Sequence, residues 1–221
     1  MQTPVDQVLR KMYDRLWSAY GPQHWWPART PTEVVIGAIL TQNTAWKNVE
    51  RAIGNLKKAR CLTWRALRNC SEVDLAELVQ PSGTYHVKAA RLKAFVDYLW
   101  ENHDGSLESM LDGEIDDVRE RLLSIRGIGP ETADAILLYA GKRPTFVVDA
   151  YTIRILRRHF VIDDKADYEA VHRLFHEALR PDVRLYNEYH ALLVAVGKRH
   201  CRTLAACDGC PLAGLPHDAR V

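Results

Sequence analysis

The sequence predicts an all-α fold arranged as two helical lobes. Apolar residues recur at three- and four-residue spacing along most of the chain. No stretch shows the strict apolar–polar alternation of a half-buried strand, and no internal repeat or low-complexity tract interrupts the pattern. Turns containing Gly and Pro separate the helical segments.

The first segment, Val5 to Tyr20, sets Val5, Val8, Leu9, Met12 and Leu16 at helical spacing and stops at Gly21-Pro22. The aromatic stretch His24-Trp25-Trp26-Pro27 follows. Thr32 is expected to cap a second helix running from Glu33 through Val35, Ile36, Ile39 and Leu40. Further helices are expected from Ala45 to Leu56, Ser71 to Leu78, Lys88 to Trp100 and Val118 to Ser124. Gly127-Ile128-Gly129 breaks the chain there. Pro130 opens the next helix, which runs through Ala133, Ile136, Leu137 and Ala140; a proline at the first helical position gives up only an N–H that would be unpaired. Phe146-Val147-Val148 reads as a short buried run. Helices from Ala150 to Phe160, Tyr168 to Leu179 and Tyr186 to Gly197 complete the set. One expected lobe is residues 30–141, a barrel-like bundle; the other joins residues 1–29 to 142–221.

Composition bounds the function. The 221 residues are 47% hydrophobic and 26% charged, which is globular rather than disordered. The formal net charge of +2 neither demands nor excludes nucleic acid, so any basic surface must come from local clustering. No apolar run reaches membrane-spanning length, and the charged start lacks a signal-peptide core, so a cytoplasmic protein is expected. Of the five cysteines, Cys61 and Cys70 stand alone and read as inert thiols. Cys201, Cys207 and Cys210 crowd the C-terminus. In a reducing compartment such a group suggests a metal before a disulfide.

The strongest local signal is Leu122 to Asp134. Gly127 and Gly129 are expected to turn the backbone sharply with positive φ. The helix opened by Pro130 would then present free N–H groups and a positive dipole end, a site for a phosphate oxygen that needs no basic side chain. About twenty residues on, Asp149 follows Phe146-Val147-Val148 and opens a helix. An aspartate there is either a cap or a partly desolvated carboxylate of catalytic use.

The stretch from Leu122 to Arg154 resembles the helix-hairpin-helix, Gly/Pro loop and aspartate of the endonuclease III superfamily of DNA glycosylases. Gly37 to Thr44 is similar to that family's early helix and base-displacing turn, and Gly83 to Ala89 to its second DNA-inserting loop. The resemblance covers about Thr30 to Cys210. Within the superfamily, His24-Trp25-Trp26-Pro27, Thr41-Gln42-Asn43-Thr44, Pro81-Ser82-Gly83 and the helix after Gly129 look most like the 3-methyladenine glycosylases of endonuclease III type.

The resemblance implies an enzyme that binds double-stranded DNA containing a damaged base, with no membrane partner, as a monomer. A glycosylase takes the base out of the stack and stabilises positive charge on the sugar as the bond breaks. Asp149 is the implied essential carboxylate, stabilising that charge or handling the attacking water. Gly127, Ile128 and Gly129 would hold a phosphate. Gln42 or Asn43, with Thr84, would fill the gap left by the flipped base. The expected site of base binding is a cleft between the lobes. Bifunctional members carry a lysine nucleophile immediately before the Thr-Ala of the hairpin helix; here that residue is Glu131, which forms no Schiff base. Hydrolysis by water is therefore expected. Trp46, Trp25 and Trp26 are candidates for the base pocket, and an indole wall suits a cationic alkylated purine. As core anchors, the same tryptophans would have no such role.

For the cysteines the family pattern implies four ligands to a four-iron cluster. Here Pro216 falls where the fourth would stand. Three cysteine ligands with His217, Asp218, His200 or a small molecule as the fourth, a zinc ion, and a loop without metal all stay open. Two rivals remain for function. One is a bifunctional glycosylase/lyase for oxidised pyrimidines, the other a non-catalytic protein that binds damaged DNA.

Overall fold

The computed structural model describes residues 4–25, 28 and 30–220. In chain order its helices are α1 (Val5–Tyr20), α2 (Pro31–Thr41), α3 (Trp46–Lys58), α4 (Trp64–Asn69), α5 (Glu72–Val79) and α6 (Tyr85–His103). These are followed by α7 (Leu107–Met110), α8 (Ile115–Leu123), α9 (Pro130–Ala135), α10 (Ala150–Arg158), α11 (Tyr168–Ala178) and α12 (Val183–Arg199). Among the described residues there is no strand, only an isolated bridge between Cys201 and Ala205. The fold is all-α. No helix among the described residues is long and apolar enough to cross a membrane.

The chain divides into two compact units, Pro27–Arg143 and Met1–Trp26 with Pro144–Val221. In the first, α2 is the central element. Val34 to Leu40 are all buried, as expected of a helix apolar on every side. It packs on α3, α6, α9 and the single π turn Ile136–Ala140 that continues α9. Thr30, not Thr32, caps it. With Pro31 at the first helical position, the Thr30 hydroxyl accepts the Glu33 N–H at 3.2 Å. Glu33 is 6% exposed and meets Lys57 Nζ at 2.7 Å.

Other boundaries differ by a few residues, and α4 and α7 escaped the periodicity. Six and four residues are too few to show a helical stripe. Their local signals are the capping hydroxyls of Thr63 and Ser106. Of the two glycines in the hairpin turn, only Gly127 has positive φ (+89°). Gly129 is extended (φ −96°, ψ 176°) because it is the N-cap of α9.

In the second unit, Phe146 to Val148 are buried as expected. Phe146 stacks on Phe175 with centroids 3.6 Å apart and meets Tyr186 and Tyr189 edge-on. The Tyr189 hydroxyl donates to the Leu9 carbonyl at 2.8 Å, tying α12 to α1. The α10 and α12 helices pack together.

Candidate functional site

Within Pro27–Arg143, the hairpin α8–turn–α9 is held by a buried ion pair. Arg119 grips both oxygens of Asp134, at 2.9 and 3.1 Å, and Asp134 is fully buried. Gly127 is required twice over. Its φ suits glycine, and a Cβ there would lie 2.3 Å from Arg91 Cγ. Gly129 caps α9 without a side chain, and a Cβ there would meet nothing within 4 Å. Ile128 is 5% exposed, and its N–H donates to the Ile125 carbonyl at 3.0 Å. Glu131 is exposed in the first turn of α9, where the helix dipole favours an acid.

The structure brings Gln42 to this hairpin. Its amide nitrogen donates to the Gly127 carbonyl at 3.2 Å and to Thr132 Oγ1 at 2.9 Å, and its oxygen accepts from Arg91. Asn43, the next residue, is exposed with φ +54°. Thr84 is also exposed and left-handed (φ 40°, ψ 41°), directly after Gly83 at φ +69°. Such a conformation in a β-branched residue costs on the order of 1–3 kcal/mol. Lys88 lies in the first turn of α6, 1% exposed, and its ammonium donates to the Ser82 carbonyl. Burial, and secondarily the charge of Arg91, hold its pKa below the ordinary lysine value. Trp46 is half-buried at the start of α3.

In the other unit, Asp149 is the N-cap of α10. Its Oδ1 accepts from the Thr152 N–H at 2.7 Å and from the Thr152 hydroxyl at 2.9 Å. Its Oδ2 faces His190 Nε2 of α12 at 3.7 Å, and the carboxylate side chain is 12% exposed. Burial alone would raise the carboxyl pKa. The His190 contact, with the Thr152 bonds, outweighs burial and holds it below the usual range. Asp149 is thus both a cap and a desolvated, ionised carboxylate. His190, 5% exposed, was missed from sequence; a lone histidine on an otherwise apolar helix face carries no signal of its partner.

Trp25 is half-buried, and Lys198 Nζ lies 5.6 Å from its ring centroid, so one indole face already meets a cation. Trp26 lies outside the described residues. Arg199 sits over Tyr20 at 4.4 Å.

Cys201, Cys207 and Cys210 line one cavity, which His159, His200 and His217 also line. Burial, helped by the neighbouring Cys207 and Cys201, raises the Cys210 thiol pKa, while the Leu212 and Ala213 amides oppose this. Arg158, 5% exposed, donates to Cys201 Sγ at 3.2 Å and to the Arg202 and Thr203 carbonyls at 2.7 and 2.8 Å. Arg154 donates to the Cys201 carbonyl at 2.8 Å. Among the described residues no three His, Cys, Asp or Glu side chains converge on one ion position. Asp218 pairs with Arg220 at 2.9 Å.

Residues 36–181 match the HhH-GPD superfamily of base excision DNA repair proteins. A Methanocaldococcus jannaschii protein that bears the description "putative DNA repair glycosylase" is 49% identical over 208 residues, 93% of this chain and 94% of its own length. A thymine/uracil-DNA glycosylase of Pyrobaculum aerophilum is 27% identical over 194 residues, 86% of this chain and 80% of its own. The structure is also similar to the H. pylori 3-methyladenine DNA glycosylase bound to 1,N6-ethenoadenine. The TM-score is 0.76 at 28% identity, over 89% of this chain and 98% of that one.

Proposed function

This chain belongs to the HhH-GPD superfamily of base excision DNA repair proteins, and from that premise we propose a monofunctional DNA glycosylase that hydrolyses the bond between a damaged base and its sugar. Its partner is double-stranded DNA carrying the lesion. Asp149 carries this reading. One of its oxygens is spent on the helix cap; the other is ionised, desolvated and paired only loosely with His190. A carboxylate in that state stabilises an oxocarbenium-like sugar as the base departs. Its depressed pKa makes it a weak proton acceptor, so its main roles are electrostatic stabilisation and orientation of the attacking water.

Glu131 supports hydrolysis by water, since a carboxylate offers no amine to the sugar aldehyde. Lys88 does not replace that amine, being buried against Ser82. On the DNA-facing side, the hairpin amides of Gly127 and Gly129 contact phosphate, while the Ile128 N–H is held by the Ile125 carbonyl at 3.0 Å, and Asn43 and Thr84 enter the duplex. Gln42, bonded through both amide atoms, anchors the first loop rather than entering DNA.

For the lesion we favour an alkylated purine. Trp46 and Trp25 are the candidate aromatic faces for a cationic base, each contact worth about 0.5–2 kcal/mol; Lys198 already lies 5.6 Å from the Trp25 ring centroid. The 3-methyladenine enzyme of H. pylori supports this choice. A second reading, thymine or uracil, is favoured by the similarity to the P. aerophilum enzyme.

A four-iron cluster is the proposed cofactor, held by Cys201, Cys207 and Cys210. A zinc ion needs ligands converging at about 2.0–2.3 Å, and among the described residues no such group of three is formed. A cluster spreads its ligands over its corners, and three thiols around one cavity with a buried arginine on Cys201 suit that donor set. When bound, the group supplies a structural pin for the C-terminal loop.

The deciding experiment is base release from duplexes carrying alkylated adenine, ethenoadenine, uracil, a T·G mismatch or an oxidised pyrimidine, with Asp149→Asn alongside. Release of alkylated adenine, reduced at least about 100-fold in the variant, is expected. Activity confined to pyrimidines sinks the alkylpurine choice, and an undiminished variant sinks the role of Asp149.

A further inference from the structure

Lys88 and Arg91 lie three residues apart in α6, and therefore on one face of it. Two like charges at that spacing repel, and Lys88 is 1% exposed. Apolar residues would pack such a position more stably than a buried ammonium. What the two cations do is reach three separate segments. The Lys88 ammonium donates to the Ser82 carbonyl, inside the turn whose tip is Gly83-Thr84. Arg91 donates to the Gln42 side-chain oxygen, beside exposed Asn43. The stem of Arg91 crosses Gly127 so closely that a Cβ there would lie 2.3 Å from its Cγ. Gln42 closes the set by donating to the Gly127 carbonyl and Thr132.

We infer that Lys88 and Arg91 are positioning residues that lock segments 42–44, 82–84 and 127–132 into one preorganised platform. The inference rests on the proposal that these segments face DNA. Its physical logic is that a loop ordered before binding loses less conformational entropy on binding. The left-handed backbones of Asn43 and Thr84 need such support, because strained residues persist only where their surroundings over-determine them. Neither side chain touches the substrate in this role. Lys88 is sealed from solvent, and Arg91 acts through Gln42 and Gly127.

The test uses the full chain with Lys88→Met, Arg91→Met and Arg91→Gln. Amide hydrogen exchange is measured without DNA. Lys88→Met is expected to raise exchange at residues 82–85 and leave 42–44 unchanged. Arg91→Met is expected to do the reverse and to loosen 127–129; Arg91→Gln, which keeps a donor, restores part of that protection. Affinity is then measured for two probes, an undamaged duplex and one containing a tetrahydrofuran abasic-site analogue beside 2-aminopurine. The abasic duplex is expected to weaken about tenfold, with its fluorescence change reduced, and the undamaged duplex to weaken far less. Unchanged exchange, or exchange raised evenly throughout Pro27–Arg143, overturns the platform, as does equal weakening for both probes. If Lys88→Met does not fold, the Arg91 pair decides. A wild-type chain that ignores both duplexes defeats the DNA-facing reading, while the exchange pattern still decides whether the platform exists.

Discussion

Asp149 Oδ2 lies 3.7 Å from His190 Nε2, so the capping residue of α10 meets an imidazole from α12. Burial pushes the carboxyl pKa up, but His190 and Thr152 together bring it below its ordinary value. A carboxylate depressed in the folded state contributes stability above its unfolded pKa, near 3.9, and loses it as pH falls through the lower folded value. Base release tied to Asp149 should therefore persist through the ordinary carboxylate range and fall only below it, whereas its contribution to folding stability declines from the unfolded pKa downward and is gone below the folded one. His190→Gln should move the acid limb of the single-turnover rate upward. An unmoved limb would show that His190 does not hold the charge.

The two roles of Asp149 separate by substitution. Asn keeps a capping oxygen for Thr152 and loses the charge; Ala loses both. Asp149→Ala should be less stable than Asp149→Asn by about 1 kcal/mol in thermal or denaturant unfolding. Both should lose base release alike. Equal stability of the two variants would remove the cap from the account.

Glu131 stands exposed at the start of α9. Borohydride added during turnover should trap no covalent enzyme–DNA adduct, because Glu131 offers no amine to form a Schiff base. A trapped adduct detected by gel shift would restore the lyase reading and require another nucleophile.

The Arg119–Asp134 pair fixes the two helices of the hairpin. Asp134→Ala leaves the arginine's charge without its partner beside a fully buried position. Unfolding should reveal a loss of about 3 kcal/mol, since breaking one side of a buried pair costs far more than the pair is worth. A loss below about 1 kcal/mol, the range of a surface pair, would mean that solvent reaches Arg119.

Anaerobically purified protein should carry iron and sulfide and show the broad visible absorption of thiolate-bound iron. Cys207→Ser should reduce both and lower the melting temperature. Iron content at background in the wild type would reject the cluster, leaving Arg158 and Arg154 as the pins of the C-terminal loop.

By itself the sequence determined what short-range chemistry dictates. Pro130 and the capping side chains of Ser71 and Asp149 act within a turn of themselves, so their helices were readable locally. The apolar periodicity of the longer helices gave the all-α class, and the resemblance around Leu122 to Arg154 pointed to the family that the comparisons support. Tertiary structure decided the rest, because the deciding partners are remote in sequence. Gln42 meets Thr132 from 90 positions away, a bond that no local pattern announces. His190, Arg91 and Arg158 looked like unremarkable members of helices until packing brought them to Asp149, Gly127 and Cys201. Desolvation, charge pairing and left-handed strain at Asn43 and Thr84 arise only when distant segments close around a residue, and no local pattern encodes which segments those are.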